Sequence, residues 1–289
     1  SLLLAAVALV AGMYFDGLRL QRLVKIGGYK LSIRAVLRVI FSNYFMAMLT
    51  PGASGGAVAQ VLVLRSYGVP ISKGTPIVLI RTVFSIMFLV IMLPLVFLRD
   101  AIEIPYISRD MLLIFAVLAV IAALVGTYIL QTKYMRQFVY NLAQRFKAHN
   151  TKDWLSKLET LNQGLGLLYK QPVQSLIVFI ESGLSLLCLY CIAPALMYAF
   201  TPDIPIIDIL DRMILLNLIL YFAPTPGGTG IAEGLFVVLF SAFVPNGTVG
   251  IIAVGWRVVA EYMPFFIGMY AVLTLYGRQF VAQETSREQ

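Results

Sequence analysis

Long apolar runs, separated by short charged segments, dominate the sequence. The continuous runs span about residues 1–15, 75–98, 111–131, 173–200 and 250–277. Most of them reach the ~20 residues that a helix needs to cross a bilayer, and we expect the first, which opens at Ser1, to be a clipped helix. They lack the alternation of polar and apolar residues that marks the strands of a membrane β-barrel. The pattern therefore predicts membrane-spanning helices.

Two further apolar stretches, residues 35–66 and 205–244, are each interrupted by proline and clustered glycine. The interruptions read Thr-Pro-Gly-Ala-Ser-Gly-Gly at 50–56 and Thr-Pro-Gly-Gly-Thr-Gly at 225–230. Such residues cannot continue a helix, so each stretch is predicted to form two half-helices around a loop. The second arms would be only about 15 and 21 Å long, less than the ~30 Å membrane core. These lengths favour re-entrant hairpins over complete crossings.

Composition supports a membrane protein. Charged residues make up 12% of the chain, about half the roughly 25% of soluble proteins, and hydrophobic residues make up 60%. The 22 Lys and Arg and 14 Asp and Glu residues are too few to cover a water-facing surface. We therefore expect a multi-pass protein of the inner (cytoplasmic) membrane, whose partners are membrane lipids and not nucleic acids, and which can form homo-oligomers.

The basic residues predict the orientation, because cytoplasmic loops carry an excess of Lys and Arg. Segment 17–38 has six basic residues and no acid, and segment 132–171 has seven against two acids. Segments 99–110 and 201–212 each hold three acids, with two and one basic residues. We predict that the first two segments are cytoplasmic and the other two external. The first hairpin then enters from the cytoplasm and the second from outside.

The two hairpins also share their spacing of polar residues. Asn43 and Asn217 precede the loop prolines by eight and nine residues, and Arg81 and Arg257 follow them by 30 and 31. Opposite orientation and equal spacing are typical of an inverted-topology repeat, in which broken helices form a substrate site between the halves. The alternative is coincidence, because Thr-Pro-Gly is a short string and a membrane tolerates arginine in few places.

These observations predict an all-α polytopic membrane protein with an inverted-topology repeat and two re-entrant broken-helix hairpins, forming one integral membrane domain. Within it, residues 134–169 repeat apolar residues at helical spacing among basic ones and are expected to lie along the inner leaflet, or else to form a solvated linker. The predicted divisions are a first repeat at 1–98 with hairpin 34–67, a connecting helix and basic amphipathic segment at 99–171, a second repeat at 172–278 with hairpin 205–244, and a cytoplasmic tail at 279–289.

The loops predict the chemistry of the site. Backbone without helical partners is tolerated at membrane depth only if it faces protein or a water-filled cavity. The second half-helices are predicted to begin near Ala57 and Ile231, so their N–H groups would point at the loops and favour a phosphate or carboxylate. Arg81 and Arg257 would add full positive charges and paired donors. The sequence therefore predicts a cavity that binds an anionic headgroup.

Three acids also lie at membrane depth. Glu261 follows Arg257 by four residues, so the two form either a structural ion pair or part of the site. Glu233 lies in the first turn of a half-helix, where the dipole favours a carboxylate even without a function. Its functional role would be to bind a cation or exchange a proton. Glu181 has no partner that the sequence indicates.

The predicted substrate-binding residues are polar or glycine residues of the two hairpins and the helices that follow them. They are Asn43, Thr50, Gly52, Gly55, Gly56, Arg81, Asn217, Thr225, Gly227, Gly228, Gly230, Glu233, Arg257 and Glu261. No catalytic residue, metal site or cofactor is predicted. Cys188 and Cys191 lie in an apolar run, where they are expected to act as packing residues, and the single His149 lies in a basic loop.

Two extended motifs carry a family resemblance. Residues 224–234 read Pro-Thr-Pro-Gly-Gly-Thr-Gly-Ile-Ala-Glu-Gly, and a later helix carries Trp256-Arg257 with Tyr262, Pro264 and Gly268. The matching residues of the first half are Asn43, residues 49–52, Gly55, Gly56, Arg65, Gly68 and Arg81. Together they resemble the lysylphosphatidylglycerol synthase transmembrane-region family, the flippase-like domain of multiple peptide resistance factors.

The resemblance covers nearly the whole chain and implies lipid handling rather than lipid synthesis. It departs at Ala57 and Gln60, where many members carry an acidic residue and an arginine, so the lipid specificity of other members does not carry over.

Three functions are compatible with the sequence. The first is a transporter or flippase that moves an anionic phospholipid, or a lipid-linked anionic headgroup, between leaflets. The sequence has no Gly-x4-Gly-Lys-Ser/Thr loop, so this movement would be downhill or coupled to a gradient. The second is a secondary transporter of a small solute or ion. The third is an intramembrane lipid-headgroup transferase, for which the sequence offers no nucleophile, carboxylate pair or metal cluster.

Overall fold

The computed structural model describes residues 1–99, 109–129, 166 and 171–285, and these residues contain helices but no strand. The helices are α1 (Leu2–Ile26), α2 (Ile33–Leu49), α3 (Ser54–Ser66), α4 (Ile71–Leu98), α5 (Arg109–Ile129), α6 (Pro172–Tyr190), α7 (Ile192–Met197), α8 (Ile206–Leu220), α9 (Ile231–Phe240), α10 (Val249–Arg257) and α11 (Met263–Thr285). A short 3-10 turn, Ser241–Phe243, follows α9, and a π-helical turn, Val258–Tyr262, joins α10 to α11.

Four helical segments are long and apolar enough to cross a membrane. They are Leu2–Ile26, Ile71–Leu98, Pro172–Met197 and Val249–Leu275. The prediction of a helical, multi-pass membrane protein is therefore confirmed. The predicted amphipathic segment at 134–169 lies outside the described residues, as do most of the loop at 99–110 and the end of the tail.

Helix α1 extends well beyond its predicted end near residue 15. It continues to Ile26, so Arg19 and Arg22 lie on a helix and not in the predicted cytoplasmic loop. Each of these arginines has a carboxylate partner, Asp16 for Arg19 and Glu181 for Arg22. The prediction of a loop from residue 17 was wrong because these partners make two positive charges tolerable within the helix bundle.

Both predicted interruptions are present. Helix α2 ends at Leu49 and α3 begins at Ser54, three residues before the predicted start, because the Thr50 hydroxyl accepts a hydrogen bond from the backbone N–H of Gly55 at 2.8 Å. Helix α8 ends at Leu220, and α9 begins at Ile231 as predicted. Between these helices the chain follows two loops, which we call the first loop (residues 50–53) and the second loop (residues 221–230).

The two halves of the chain pack against each other through several helices. Helix α1 lies along α6, and α11 packs on α2. The second contact is close, because Gly268 is buried and a Cβ added there would overlap the backbone carbonyl of Phe41. Within the second half, Phe236 stacks on Trp256 with ring centroids 5.2 Å apart. The helices that carry the two loops are thus held by contacts between the halves.

We expect Gly268→Ala to destabilise the protein by roughly 2 kcal/mol, because the added methyl group must push α11 away from the α2 backbone. The midpoint of thermal unfolding in mild detergent measures this effect. Gly250→Ala is the matched control, since a Cβ at this helical glycine has open space within 4 Å. Equal midpoints for the two variants would contradict the close packing of α11 on α2.

Candidate functional site

The first and second loops meet. Pro51 and Pro226 form an isolated antiparallel bridge. Beside it, Gly227 has a φ of +58°, a conformation that favours glycine, and a Cβ at this residue would lie 2.7 Å from the Met48 sulfur. The chain therefore brings both helix interruptions to one place and leaves no room there for a side chain at Gly227.

A cavity of about 460 Å³ lies beside this junction. Both loops line it, together with side chains from α1, α2, α3, α4, α6 and α8 and from the π-helical turn. We call this cavity the chamber. The predicted site residues that line it are Asn43, Gly52, Arg81, Asn217, Thr225, Gly227, Gly228 and Glu261.

One side of the chamber carries a cluster with an excess of positive charge, formed by Asp16, Arg19 and Arg81. These three residues are 4%, 6% and 5% exposed. Asp16 accepts hydrogen bonds from Arg19 and from Arg81, and the Arg81 Nε–Asp16 Oδ1 distance is 3.2 Å. Arg19 also donates to Ser85 Oγ at 2.8 Å, and Arg81 donates to the Gln60 side-chain oxygen. One carboxylate serves two guanidinium groups, so this cationic cluster has a net charge of +1.

A second cluster, formed by Arg257, Glu233 and Glu261, has the opposite balance. Arg257 Nε donates to Glu233 Oε1 at 2.8 Å, and Nη1 donates to Glu261 Oε2. Arg257 Nη2 donates to the carbonyl of Gly227 at 2.9 Å and is 3.4 Å from Thr229 Oγ1. Two carboxylates share one guanidinium group, so the anionic cluster has a net charge of −1. The predicted pairing of Arg257 with Glu261 is present.

Arg257 lies behind the second loop and not on the chamber wall. Its side chain is 1% exposed, and its contacts fix the loop backbone at Gly227. Glu233 also lies outside the wall and accepts a hydrogen bond from the Gly230 N–H at 2.7 Å, which caps α9. Of the anionic cluster, Glu261 is the member that lines the chamber.

The remaining predicted residues shape the hairpins. Thr50 and Gly55 form the cap of α3 described above, and Gly230 holds the start of α9. Gly56 lets α3 approach α2, because a Cβ there would overlap the Asn43 side-chain oxygen. That oxygen accepts a hydrogen bond from Gln60 Nε2 at 2.8 Å.

Two buried hydroxyl groups at the chamber lack a hydrogen-bond partner among the described residues. They are the hydroxyl groups of Tyr190 and Thr225. Both residues line the chamber, and Tyr190 is 3% exposed. Buried hydroxyl groups are nearly always hydrogen-bonded, so these two are suited to a bound ligand or ordered water.

The sequence analysis missed several residues of the site. Asp16 and Arg19 are one helical turn apart in a helix that is apolar from Leu2 to Phe15, a spacing that indicates a paired charge in a membrane. Tyr44, Gln60 and Tyr190 carry no such signal, because only the fold brings them to the chamber. The partner of Glu181 was missed as well. The described partner is Arg22, whose Nη2 donates to Glu181 Oε1 at 2.7 Å and whose Nη1 donates to Gln174 Oε1 at 3.0 Å.

Similarity to known proteins identifies the family of the chain. Residues 1–268 match the family described as "Lysylphosphatidylglycerol synthase TM region". The chain belongs to this family. One relative, described as "UPF0104 membrane protein" from Archaeoglobus fulgidus, is 22% identical over 268 residues, which cover 88% of this chain and 80% of the relative. No solved structure matches the chain. The part of the chain that matches the family therefore includes both loops and every described residue that lines the chamber.

We expect Asp16→Asn to cost about 3 to 5 kcal/mol of stability, because it leaves two buried guanidinium groups without a counter-charge. Chemical unfolding in detergent measures the loss. Adding Arg19→Gln to this variant should restore part of the stability, since one of the unpaired charges is removed. Arg19→Gln should therefore cost less stability in the Asp16→Asn background than in the unmodified protein. Equal losses of stability in the two backgrounds would show that the shared carboxylate does not hold the cluster together.

Proposed function

We propose that the protein moves an anionic phospholipid, or another lipid with an anionic headgroup, between the two leaflets of the inner membrane. The observation that carries this proposal is a chamber between the two loops whose wall bears Arg19 and Arg81. An arginine pair with one shared carboxylate keeps an excess positive charge, which a phosphate can neutralise. The printed name of the family concerns a phospholipid, and the headgroup of a phospholipid contains a phosphate.

The proposed architecture is an inverted-topology repeat with two re-entrant hairpins. Helices α3 and α9, with 13 and 10 residues, are about 20 and 15 Å long, too short to cross a ~30 Å membrane core. The loops they adjoin meet at Pro51 and Pro226. Opposite entry, proposed from the charges of the flanking segments, would give a headgroup access to one chamber from either side.

In this proposal the headgroup phosphate contacts Arg19 and Arg81, and the hydroxyl groups of Tyr190 and Thr225 complete its hydrogen bonds. The side-chain amides of Asn43 and Asn217 come from the two hairpins and line the same chamber. Arg257 has a different role from the one expected from sequence. Its contacts with Gly227 and Glu233 favour a role in holding the second loop in place, and not direct contact with the phosphate.

The alternative of a small-solute or ion transporter uses the same chamber and stays a prediction, as do the intramembrane transferase and the homo-oligomer. A transporter of lipids differs from a transporter of solutes in a measurable way, because the acyl chains stay in the bilayer while the headgroup crosses. Movement of a lipid reporter between leaflets therefore separates the two.

We expect Arg19→Gln to lower the rate of lipid translocation at least about tenfold, because a charge-assisted contact to the headgroup is lost while Asp16 keeps Arg81 as its partner. The measurement uses liposomes that contain the purified protein and a fluorescently labelled phosphatidylglycerol, whose outer-leaflet fraction is bleached by a membrane-impermeant reductant.

Arg22→Gln is the matched control for this prediction. Arg22 lies one turn further along α1, is half-buried, and binds Glu181 away from the chamber. Its variant should translocate lipid within about twofold of the unmodified protein. Equal rates for both variants would contradict the role of the cationic cluster, and no lipid movement by the unmodified protein would favour a solute as the substrate.

A further inference from the structure

The two charged clusters at the chamber have opposite net charges. Asp16, Arg19 and Arg81 sum to +1, whereas Glu233, Glu261 and Arg257 sum to −1. Tyr44 also lines the chamber and interacts electrostatically with Asp16, Arg19 and Arg81 of one cluster and with Glu261 of the other. The charges of the two clusters therefore sum to zero.

Binding of an anionic headgroup disturbs this balance. A single negative charge at Arg19 and Arg81 neutralises the cationic cluster and leaves the −1 of the anionic cluster uncompensated. An uncompensated charge is costly inside a membrane protein, because the surroundings screen it poorly. Restoring the balance requires one positive charge near Glu261 or Glu233.

Glu261 is the carboxylate that can accept this charge. Both oxygens of Glu233 are occupied, one by Arg257 Nε and the other by the Gly230 N–H. Glu261 is bonded to Arg257 through Oε2, is 21% exposed, and lines the chamber. If Glu261 becomes neutral, Arg257 still keeps Glu233 as its counter-charge.

The charged and titratable groups that face Glu261 are a guanidinium group, which favours the carboxylate, a second carboxylate, which favours the carboxylic acid, and a phenol. Arg257 lies on the same helical segment, Glu233 faces it from α9, and Tyr44 faces it from α2. The cationic cluster lies on α1 and α4, and its two arginines line the same chamber as Glu261. An anion that neutralises this cluster removes positive potential from the chamber, which makes a proton on Glu261 more favourable.

We propose that Glu261 takes up one proton when the chamber binds a headgroup with a single negative charge, and releases it when the headgroup leaves. The proton comes from water and converts the carboxylate to a carboxylic acid, so no electron is transferred and no further reactant is needed. The inference rests on the proposed function, because it assumes that the chamber binds an anionic lipid. It implies that the anion and the proton cross together, so that a proton gradient can drive the lipid.

Calorimetric titration of the protein in phosphatidylcholine nanodiscs tests the proposal. The probe is dihexanoyl phosphatidylglycerol, titrated between pH 5.5 and 8 in two buffers that differ in ionisation enthalpy, with empty nanodiscs as the blank. We expect uptake of up to about one proton per bound lipid and an affinity that weakens as the pH rises, by at most about tenfold per pH unit.

Two variants and a second lipid make the result specific. Glu261→Gln should bind the probe with little proton uptake and a nearly constant affinity, whereas Glu181→Gln, which alters a buried acid away from the chamber, should behave like the unmodified protein. Dihexanoyl phosphatidylethanolamine carries its own ammonium group and should bind with no proton uptake.

The outcomes also separate this inference from the proposed function. Binding of phosphatidylglycerol without proton uptake, or with equal uptake in the Glu261→Gln variant, overturns the proton coupling and leaves lipid transport standing. Equal proton uptake with the two lipids overturns it as well, because charge balance would then not be the cause. No binding of phosphatidylglycerol at any pH overturns both proposals.

Discussion

Backbone that leaves a helix inside a membrane must find a hydrogen-bond partner or water, and the rest of this structure depends on how two loops meet that requirement. The Thr50 hydroxyl caps the helix after the first loop, and the Glu233 carboxylate caps the helix after the second. Arg257 binds the carbonyl of Gly227 within the second loop. Polar side chains therefore gather around both loops, and the chamber forms where the loops meet.

Charged side chains around the chamber persist because they are shared. Asp16 serves two arginines, and Arg257 serves two glutamates. An equal pairing would bury the charges just as well but would leave no excess on either side. The unequal pairing gives one wall of the chamber a positive excess and the other a negative excess, which is the physical basis for both the headgroup site and the proton exchange proposed above.

Much of the fold follows from local sequence rules. Proline together with clustered glycine ends the helix at both loops, so both interruptions were predictable, whereas the isolated Pro76 and Pro94 lie within α4. The four-residue spacing of Arg257 and Glu261 revealed their pairing. Partners that lie far apart in the chain were not predictable from local sequence. Arg22 and Glu181 are 159 residues apart, and nothing near either residue indicates the other. The first helix was predicted too short because Arg19 and Arg22 were assigned to a cytoplasmic segment that begins at residue 17, whereas their partners Asp16 and Glu181 keep them within the helix bundle.

The central proposal is that the two loops enter from opposite faces and meet at a water-accessible chamber within the membrane. Cysteine accessibility in intact and inverted vesicles tests it most directly, with Cys188 and Cys191 replaced by alanine and single cysteines at Ala53 or Thr229. The account predicts that a small water-soluble thiol reagent slowly modifies the cysteine introduced at either position. It also predicts that a bulky membrane-impermeant reagent reaches neither introduced cysteine from either side of the membrane. Rapid modification of either cysteine by the bulky reagent would mark that loop as the exposed end of an ordinary crossing and would contradict the account.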